Sequence, residues 1–126
     1  MIHLDTGFLI HALVKDSSAD KQLRKWLVEG VPLAVSTIVW AEFLCGPVKS
    51  HEIELAARII PEQVPFVADD AELSARLFNL GRRRRGSLAD CMIAATTLRC
   101  GASLATANPT DFHKLESSDL KIISET

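Results

Sequence analysis

The stretch MIHLDTGFLI, residues 1–10, predicts a short strand over residues 1–4 that passes directly into a helix over residues 6–14. Asp5 lies at this junction and has mostly apolar neighbours. Burying a carboxylate costs several kcal/mol unless it is paired, hydrogen-bonded or bound to a metal ion. Asp5 is therefore either the N-cap of the helix or a residue that the function requires.

The same strand-to-helix pattern recurs along the chain. Short apolar or β-branched runs predict further strands at residues 31–35, 64–67, 102–106 and 120–124. Helical patterns between them cover residues 19–29, 36–45, 50–60, 69 or 70 to 83, 87–100 and 109–115. Strands separated by helices pair in parallel through right-handed crossovers. The sequence thus predicts one α/β domain, residues 1–126, with a five-stranded parallel sheet and a ligand site beyond the carboxyl ends of the strands.

Composition narrows the class of protein. A net charge of only −2 means that a nucleic-acid site would have to be a local patch. No apolar run approaches the ~18 residues of a membrane span. The first residues also lack the basic segment and cleavage site of a signal peptide, so we expect a cytoplasmic protein. The three cysteines have no metal-ligand spacing, and we expect them to be small buried side chains: Cys45, Cys91 and Cys100.

Four acidic residues carry the functional signal: Asp5, Glu42, Asp90 and Asp111. Asp90 could form a capping box with Ser87, and Asp111 lies in the first turn of a short helix that Asn108 could cap. Glu42 differs because it lies in the helix STIVWAEFLCG, whose other side chains are nearly all apolar. A helix that is apolar all round is buried or lies at an interface, so we expect Glu42 to be buried with it.

In a parallel sheet, the positions of these four acids share the edge at which the strands end. Four carboxylates at one edge would repel one another and take up protons unless a cation neutralised them. Oxygen ligands of this kind suit Mg²⁺ or Mn²⁺, which also keep water ligands and bind substrate phosphates. The pattern therefore predicts a divalent-metal site.

Three segments resemble the PIN-domain ribonucleases, and specifically the VapC toxins of type II toxin–antitoxin (VapBC) systems. They are LDTGFLI at residues 4–10, STIVWAEFLCG at residues 36–46 and SLADCMIAATTLRCGASLATANPTDF at residues 87–112. Their order and spacing fit over essentially the whole chain. The resemblance implies a PIN-like three-layer sandwich with a parallel sheet in the strand order 3-2-1-4-5.

The resemblance also implies an activity: Mg²⁺- or Mn²⁺-dependent cleavage of RNA, often of tRNA or rRNA loops, which inhibits translation. A VapB antitoxin and a second copy of the chain, forming a homodimer, are the implied partners. Asp5 and Asp90 are the expected direct metal ligands, whereas Glu42 and Asp111 would bind directly or through water. Polar positions that commonly support such a site are also matched: Thr6, Thr37 and Asn108.

A run of four arginines, Arg82, Arg83, Arg84 and Arg85, precedes the predicted helix that carries Asp90. This run could contact RNA or an antitoxin. Alternatively, it is a solvated helix end whose positive charges stabilise the helix through its dipole. Trp40 and Phe43 also have two possible roles: they pack in the core or lie at an interface with a partner.

Two other functions compete with the nuclease. A catalytically idle PIN fold could serve only as a binding module, although acids stand at all four positions. A receiver-like Mg²⁺-binding domain would need paired acids after the first strand, where this chain has Asp5 alone, and an acid after Val35, where it has Ser36.

Overall fold

The computed structural model describes residues 1–80, 88–113, 115 and 119–125. Strands and helices alternate along these residues, as the sequence pattern predicts. The elements are β1 (Ile2–Leu4), α1 (Thr6–Ala12), α2 (Ser18–Glu29), β2 (Leu33–Ser36), α3 (Thr37–Cys45), α4 (Ser50–Ile59), β3 (Gln63–Val64), α5 (Ala68–Leu80), α6 (Leu88–Arg99), β4 (Ser103–Thr106), α7 (Pro109–Phe112) and β5 (Lys121–Ser124).

The strands form one parallel sheet in the order β3-β2-β1-β4-β5, which confirms the expected order. The central strand β1 places Ile2 opposite Leu33 of β2 on one side and opposite Ser103 of β4 on the other. The chain moves outward from β1 to β3 and then crosses back to β4. The direction of winding therefore reverses between β1 and β4, and ligands of open α/β sheets bind beyond the strand ends at such a point.

Several element ends follow from local chemistry. Ser36 caps α3 by accepting a hydrogen bond from the backbone N–H of Val39, as predicted. Gly30 and Gly101 follow α2 and α6 with φ angles of 71° and 63°, which glycine adopts most easily. The predicted strand over residues 64–67 is shortened to Gln63–Val64, because Pro65 has no N–H to donate to a neighbouring strand.

Other differences lie at the ends of strands and helices; β2, for example, begins at Leu33, two residues later than predicted. The first helix ends at Ala12, two residues earlier than predicted, in a turn where Leu13 and Val14 bond the carbonyl three residues back. The last short helix ends at Phe112. In the described part of the chain, no helix is long and apolar enough to cross a membrane.

Helix α3 corrects one expectation. Only Val39 and Phe43 of this helix are buried, and Glu42 is exposed, so the prediction that Glu42 is buried was wrong. A single stripe of α3 meets the core, which leaves its other apolar side chains, including Leu44, partly open to solvent. Cys45 on the same helix is exposed as well; of the three cysteines only Cys91 is buried.

Candidate active site

Asp5 connects β1 to α1 and is buried, with only 5% of its surface exposed. One carboxylate oxygen accepts a hydrogen bond from the N–H of Phe8 at 2.7 Å, so Asp5 is the N-cap of α1. The other oxygen accepts a hydrogen bond from the hydroxyl of Thr106. Burial raises the pKa of Asp5; hydrogen bonds from Thr106 and from the N–H groups of Phe8 and Ala107 oppose that rise, and the charge of Asp111 adds to it.

Glu42 reaches the same edge of the sheet from α3. Its side chain accepts a hydrogen bond of 2.7 Å from the hydroxyl of Thr6, the residue that follows Asp5. Thr6 therefore connects the acid of α3 to the start of α1. Asp111 lies in the first turn of α7, where it is exposed and its N–H donates to the carbonyl of Asn108 at 3.1 Å.

Asp90 shows that the four acids share one electrostatic environment. It lies in the first turn of α6 and is half-buried. Burial raises the pKa of Asp90 from 3.8 to about 6, and the charges of Asp111, Glu42 and Asp5 contribute to the rise in that order. Among the described residues, no lysine or arginine forms an ion pair with any of the four. The acids predicted from the sequence thus form an uncompensated negative cluster.

The chemistry of this cluster fits a hard divalent cation, because all four candidate ligands are carboxylates. No group of three or more His, Cys, Asp or Glu side chains in the described residues is arranged so that it could hold a metal ion. Mg²⁺ is usually held by one or two carboxylates together with water and substrate phosphates, so such a site does not require a complete protein cage.

A family model of the PIN domain matches residues 2–117. The chain belongs to the PIN-domain family. The receiver-like alternative is therefore wrong. No curated protein matches the chain in sequence.

Solved structures share the PIN fold of this chain over nearly its full length. A toxin–antitoxin complex from Klebsiella pneumoniae matches with a TM-score of 0.77 and 24% identity, covering 100% of this chain and 98% of that one. VapBC2 from Rickettsia felis, bound to a promoter DNA fragment, matches with a TM-score of 0.75 and 20% identity over 98% of both chains. VapBC-1 from nontypeable Haemophilus influenzae matches with a TM-score of 0.74 and 22% identity over 98% of both chains.

The hydrogen bonds described for two of the predicted supporting residues of this PIN domain do not involve the carboxyl groups of the four acids. The hydroxyl of Thr37 accepts a hydrogen bond from the N–H of Phe66 at 3.1 Å, which ties the start of α3 to the loop after β3. Asn108 does not cap α7 with its side chain, contrary to the prediction; the N–H of Asn108 donates to the hydroxyl of Thr106 at 2.9 Å. The arginines at positions 82–85, and Ser87, lie outside the described residues.

Thr106 of this PIN domain was not among the site residues predicted from the sequence. A threonine at the end of a strand is unremarkable by itself, because β-branched residues favour strands. The signal that could have found it is its place in the topology: Thr106 ends β4, the strand beside β1 at the point where the winding reverses. Gly7 also lies beside the site: a Cβ added there would lie 3.5 Å from the Cβ of Ala107 and 3.8 Å from a carboxylate oxygen of Asp5, which is ordinary van der Waals contact.

Proposed function

We propose that this chain is a single-domain VapC-type toxin, residues 1–126, that acts in the cytoplasm as a metal-dependent endoribonuclease. Its substrates are RNA phosphodiesters, in tRNA or rRNA loops, and cutting them inhibits translation. The observation that carries the proposal is that four acidic side chains come together at one edge of the sheet, where Glu42 accepts a hydrogen bond from Thr6 beside Asp5 and where burial, together with the charges of Asp111, Glu42 and Asp5, raises the pKa of Asp90. Perturbed carboxyl groups gathered at such an edge are typical of active sites.

The acids have different surroundings and therefore different proposed roles. Asp5 is held by hydrogen bonds to both of its oxygens and is suited to be a fixed ligand. Asp90 faces the charges of the other three acids and gains most from a cation. PIN nucleases generally use divalent metals, and Mg²⁺ or Mn²⁺ bound here would supply a water of lowered pKa and neutralise charge at the scissile phosphate.

Glu42 and Asp111 are the exposed members of the cluster, and substrate would approach them first. We assign them to binding the cation directly or through water and to orienting the attacking water in line with the leaving oxygen. The Thr6 hydroxyl restricts the orientation of Glu42 through its 2.7 Å hydrogen bond. No histidine is needed as a general base in this scheme.

An apolar surface formed along α1, α2, α3 and α4 supports the proposed antitoxin partner. Two clefts meet at Leu13, one between α1, α3 and α4 and the other between α2 and α4. Ile10 is 44% exposed beside the first cleft and Leu55 is 45% exposed beside the second. Adjoining apolar side chains left open in this way mark a partner surface. The neighbouring structures are themselves toxin–antitoxin complexes, which favours a VapB-type antitoxin as that partner.

A homodimer would use a different part of α3. Trp40 is half-buried and packs against Phe43 with ring centroids 5.3 Å apart, so Phe43 belongs to the core while Trp40 borders solvent. Together with exposed Ala41 and Leu44, Trp40 offers an apolar strip to a second copy of the chain.

The test is cleavage of a mixed tRNA and rRNA pool by purified, antitoxin-free protein in Mg²⁺, in Mn²⁺ and in EDTA. We expect fragments with defined ends in either metal and none in EDTA. Asp5→Asn and Asp90→Asn should each reduce the rate by about 100-fold or more, because each removes a proposed metal ligand. Glu72→Gln, which removes an exposed acid of α5, is the matched control and should cleave like the wild type.

Separate outcomes contradict separate parts of the proposal. Fragments that persist in EDTA, or in both Asp variants, would mean that the acids are not the active site. Binding of Mn²⁺ and of RNA without any cleavage would instead favour the idle PIN module. If a VapB-type antitoxin added to the active protein fails to suppress cleavage, the proposed regulation is wrong while the nuclease stands.

A further inference from the structure

We propose that Thr106 is a positioning residue of this site and that its hydroxyl fixes the orientation of the Asp5 carboxylate toward a divalent cation. The proposal rests on the proposed function, since it assigns a role within the same metal site. Thr106 belongs to one of the segments that resemble PIN domains, but the sequence assigns it no role; the hydrogen bonds around it do.

The hydroxyl of Thr106 has a defined direction. The side chain is completely buried, with 0% of its surface exposed. Its oxygen accepts a hydrogen bond from the N–H of Asn108 at 2.9 Å and donates one to Asp5. A backbone N–H can only donate, and a threonine hydroxyl has a single proton. That proton is therefore committed to the carboxylate of Asp5.

Asp5 is consequently held by hydrogen bonds from two elements, α1 and β4. The N–H of Phe8, in α1, bonds one carboxylate oxygen at 2.7 Å, and the hydroxyl of Thr106, at the end of β4, bonds the other. Two donors on two oxygens fix the plane of the carboxylate as well as its position. Groups that orient a metal ligand in this way commonly change metal affinity or activity by about 10- to 100-fold when they are removed.

The same hydroxyl also connects Asp5 to the segment that carries Asp111. Asn108 donates to Thr106 through its N–H and accepts from the N–H of Asp111 through its carbonyl at 3.1 Å. Thr106 is therefore the shared point between the end of β1 and the start of α7. Loss of its hydroxyl would release one acid directly and leave the N–H of Asn108 without this acceptor.

The experiment compares three variants of the full chain. Thr106→Val has nearly the same shape and lacks the hydroxyl, whereas Thr106→Ser keeps the hydroxyl and lacks only the methyl group. Thr97→Val is the matched control, because Thr97 is also 0% exposed but donates its hydroxyl to the carbonyl of Ile93 in α6. For each protein we would measure Mn²⁺ affinity by calorimetry, thermal unfolding in EDTA, and kcat and KM for RNA cleavage.

We expect Thr106→Val to weaken Mn²⁺ binding and to lower kcat by about 10- to 100-fold, with KM nearly unchanged, and Thr106→Ser to restore both. Thr97→Val should bind and cleave like the wild type. Equal Mn²⁺ affinity in Thr106→Val and the wild type would overturn the proposal. So would a loss in Thr106→Ser as large as that in Thr106→Val, which would indicate that the methyl group and its packing matter instead.

The readouts separate this proposal from the proposed nuclease activity. If the wild type binds Mn²⁺ but cleaves no RNA, the nuclease proposal fails and the affinities still decide the role of Thr106. If the wild type binds no Mn²⁺, both proposals fail.

Discussion

The ionised carboxylate of Asp90 destabilises the folded state at neutral pH. The pKa of Asp90 is raised from 3.8 to about 6, which means that the folded state favours the neutral carboxyl group. We predict that Asp90→Asn increases the free energy of unfolding by about 1–3 kcal/mol at neutral pH in EDTA, because it removes that charge. Urea unfolding measures the change.

The exposed Glu72 provides the control for Asp90. Glu72→Gln should change the free energy of unfolding by less than about 0.5 kcal/mol, because surface substitutions away from special features have small effects. Mn²⁺ should stabilise the wild type more than Asp90→Asn, since the stabilisation by a ligand increases with the logarithm of its affinity for the folded state. An Asp90→Asn protein that is less stable than the wild type in EDTA would contradict the idea of an uncompensated acidic cluster.

At the residue scale, the places of Asp5, Asp90 and Asp111 at the starts of helices were predictable, because strand–helix junctions can be read along the chain. Asp5 was predicted both as an N-cap and as a site residue, and the structure confirms the N-cap. The exposure of Glu42 was not predictable, since an apolar helix pattern does not distinguish a helix buried in the core from a helix whose apolar side chains are exposed on the surface. Thr106 was missed because its role depends on a contact with Asp5, which is 101 residues away in the chain.

Helix α6, which positions Asp90, is anchored at its other end by a buried ion pair. Asp70 of α5 is 1% exposed, and its carboxylate accepts hydrogen bonds from Arg99 at 2.7 Å and from Thr96 at 2.9 Å. Burial alone would raise the pKa of Asp70, but the bonds from Arg99, the N–H of Val67 and Thr96 outweigh it, so that the pKa lies below its ordinary value. The two helices are thus fixed relative to each other.

We predict that Asp70→Asn lowers the free energy of unfolding by about 2–3 kcal/mol, somewhat less than for a fully buried pair because Arg99 is one-third exposed. Glu29→Gln, which removes the solvent-exposed partner of Lys25, should cost less than about 0.5 kcal/mol. Urea unfolding of both variants tests the difference. Equal losses in the two would show that the Asp70–Arg99 pair does not anchor α6.

Element types could be predicted from the sequence better than element ends. Capping residues are local signals, so the start of α3 at Ser36 and the ends of α2 and α6 at glycines were predictable. The length of β3 was predicted wrongly although Pro65, which has no N–H to donate to a neighbouring strand, is a local signal for its end.

The whole sheet could be predicted only in part. Alternating strands and helices predict parallel pairing, but many strand orders satisfy that rule. The order 3-2-1-4-5 came from the resemblance to PIN domains, and the structure confirms it. The order places β1 beside β4 and so brings Asp5 next to Thr106.

The pH dependence of the whole molecule should reflect two groups that titrate in opposite senses. His3 is 1% exposed in the central strand, with its Nδ1 3.4 Å from the hydroxyl of Thr97 and its Nε2 without a hydrogen-bond partner in the described residues. Burial, followed by the charges of the N-terminus and Arg99, lowers the pKa of His3 from 6.5 to about 4. The fold therefore favours neutral His3.

His3 and Asp90 change the free energy of unfolding in opposite directions as the pH falls. The contribution of His3 is complete above pH 6.5 and is lost as the pH falls toward 4, because the unfolded chain binds the proton first. Asp90 stabilises when neutral, so its contribution is present below 3.8 and is lost as the pH rises through 6. Asp5, whose pKa is also raised, adds to the effect of Asp90. The shifts of His3 and Asp90 each correspond to about 3 kcal/mol, so in EDTA they largely cancel.

We therefore predict a nearly flat free energy of unfolding for the wild type in EDTA between the two pKa values of His3, 6.5 and about 4. Asp90→Asn should lose more stability than the wild type as the pH falls through this window, because the His3 effect is then opposed only by that of Asp5. His3→Phe should gain stability as the pH falls through the same window, because only the carboxyl effect remains. The substitution also removes Nε2, which has no hydrogen-bond partner in the described residues. Urea unfolding at several pH values distinguishes these slopes; parallel curves for all three proteins would show that neither group controls the pH response.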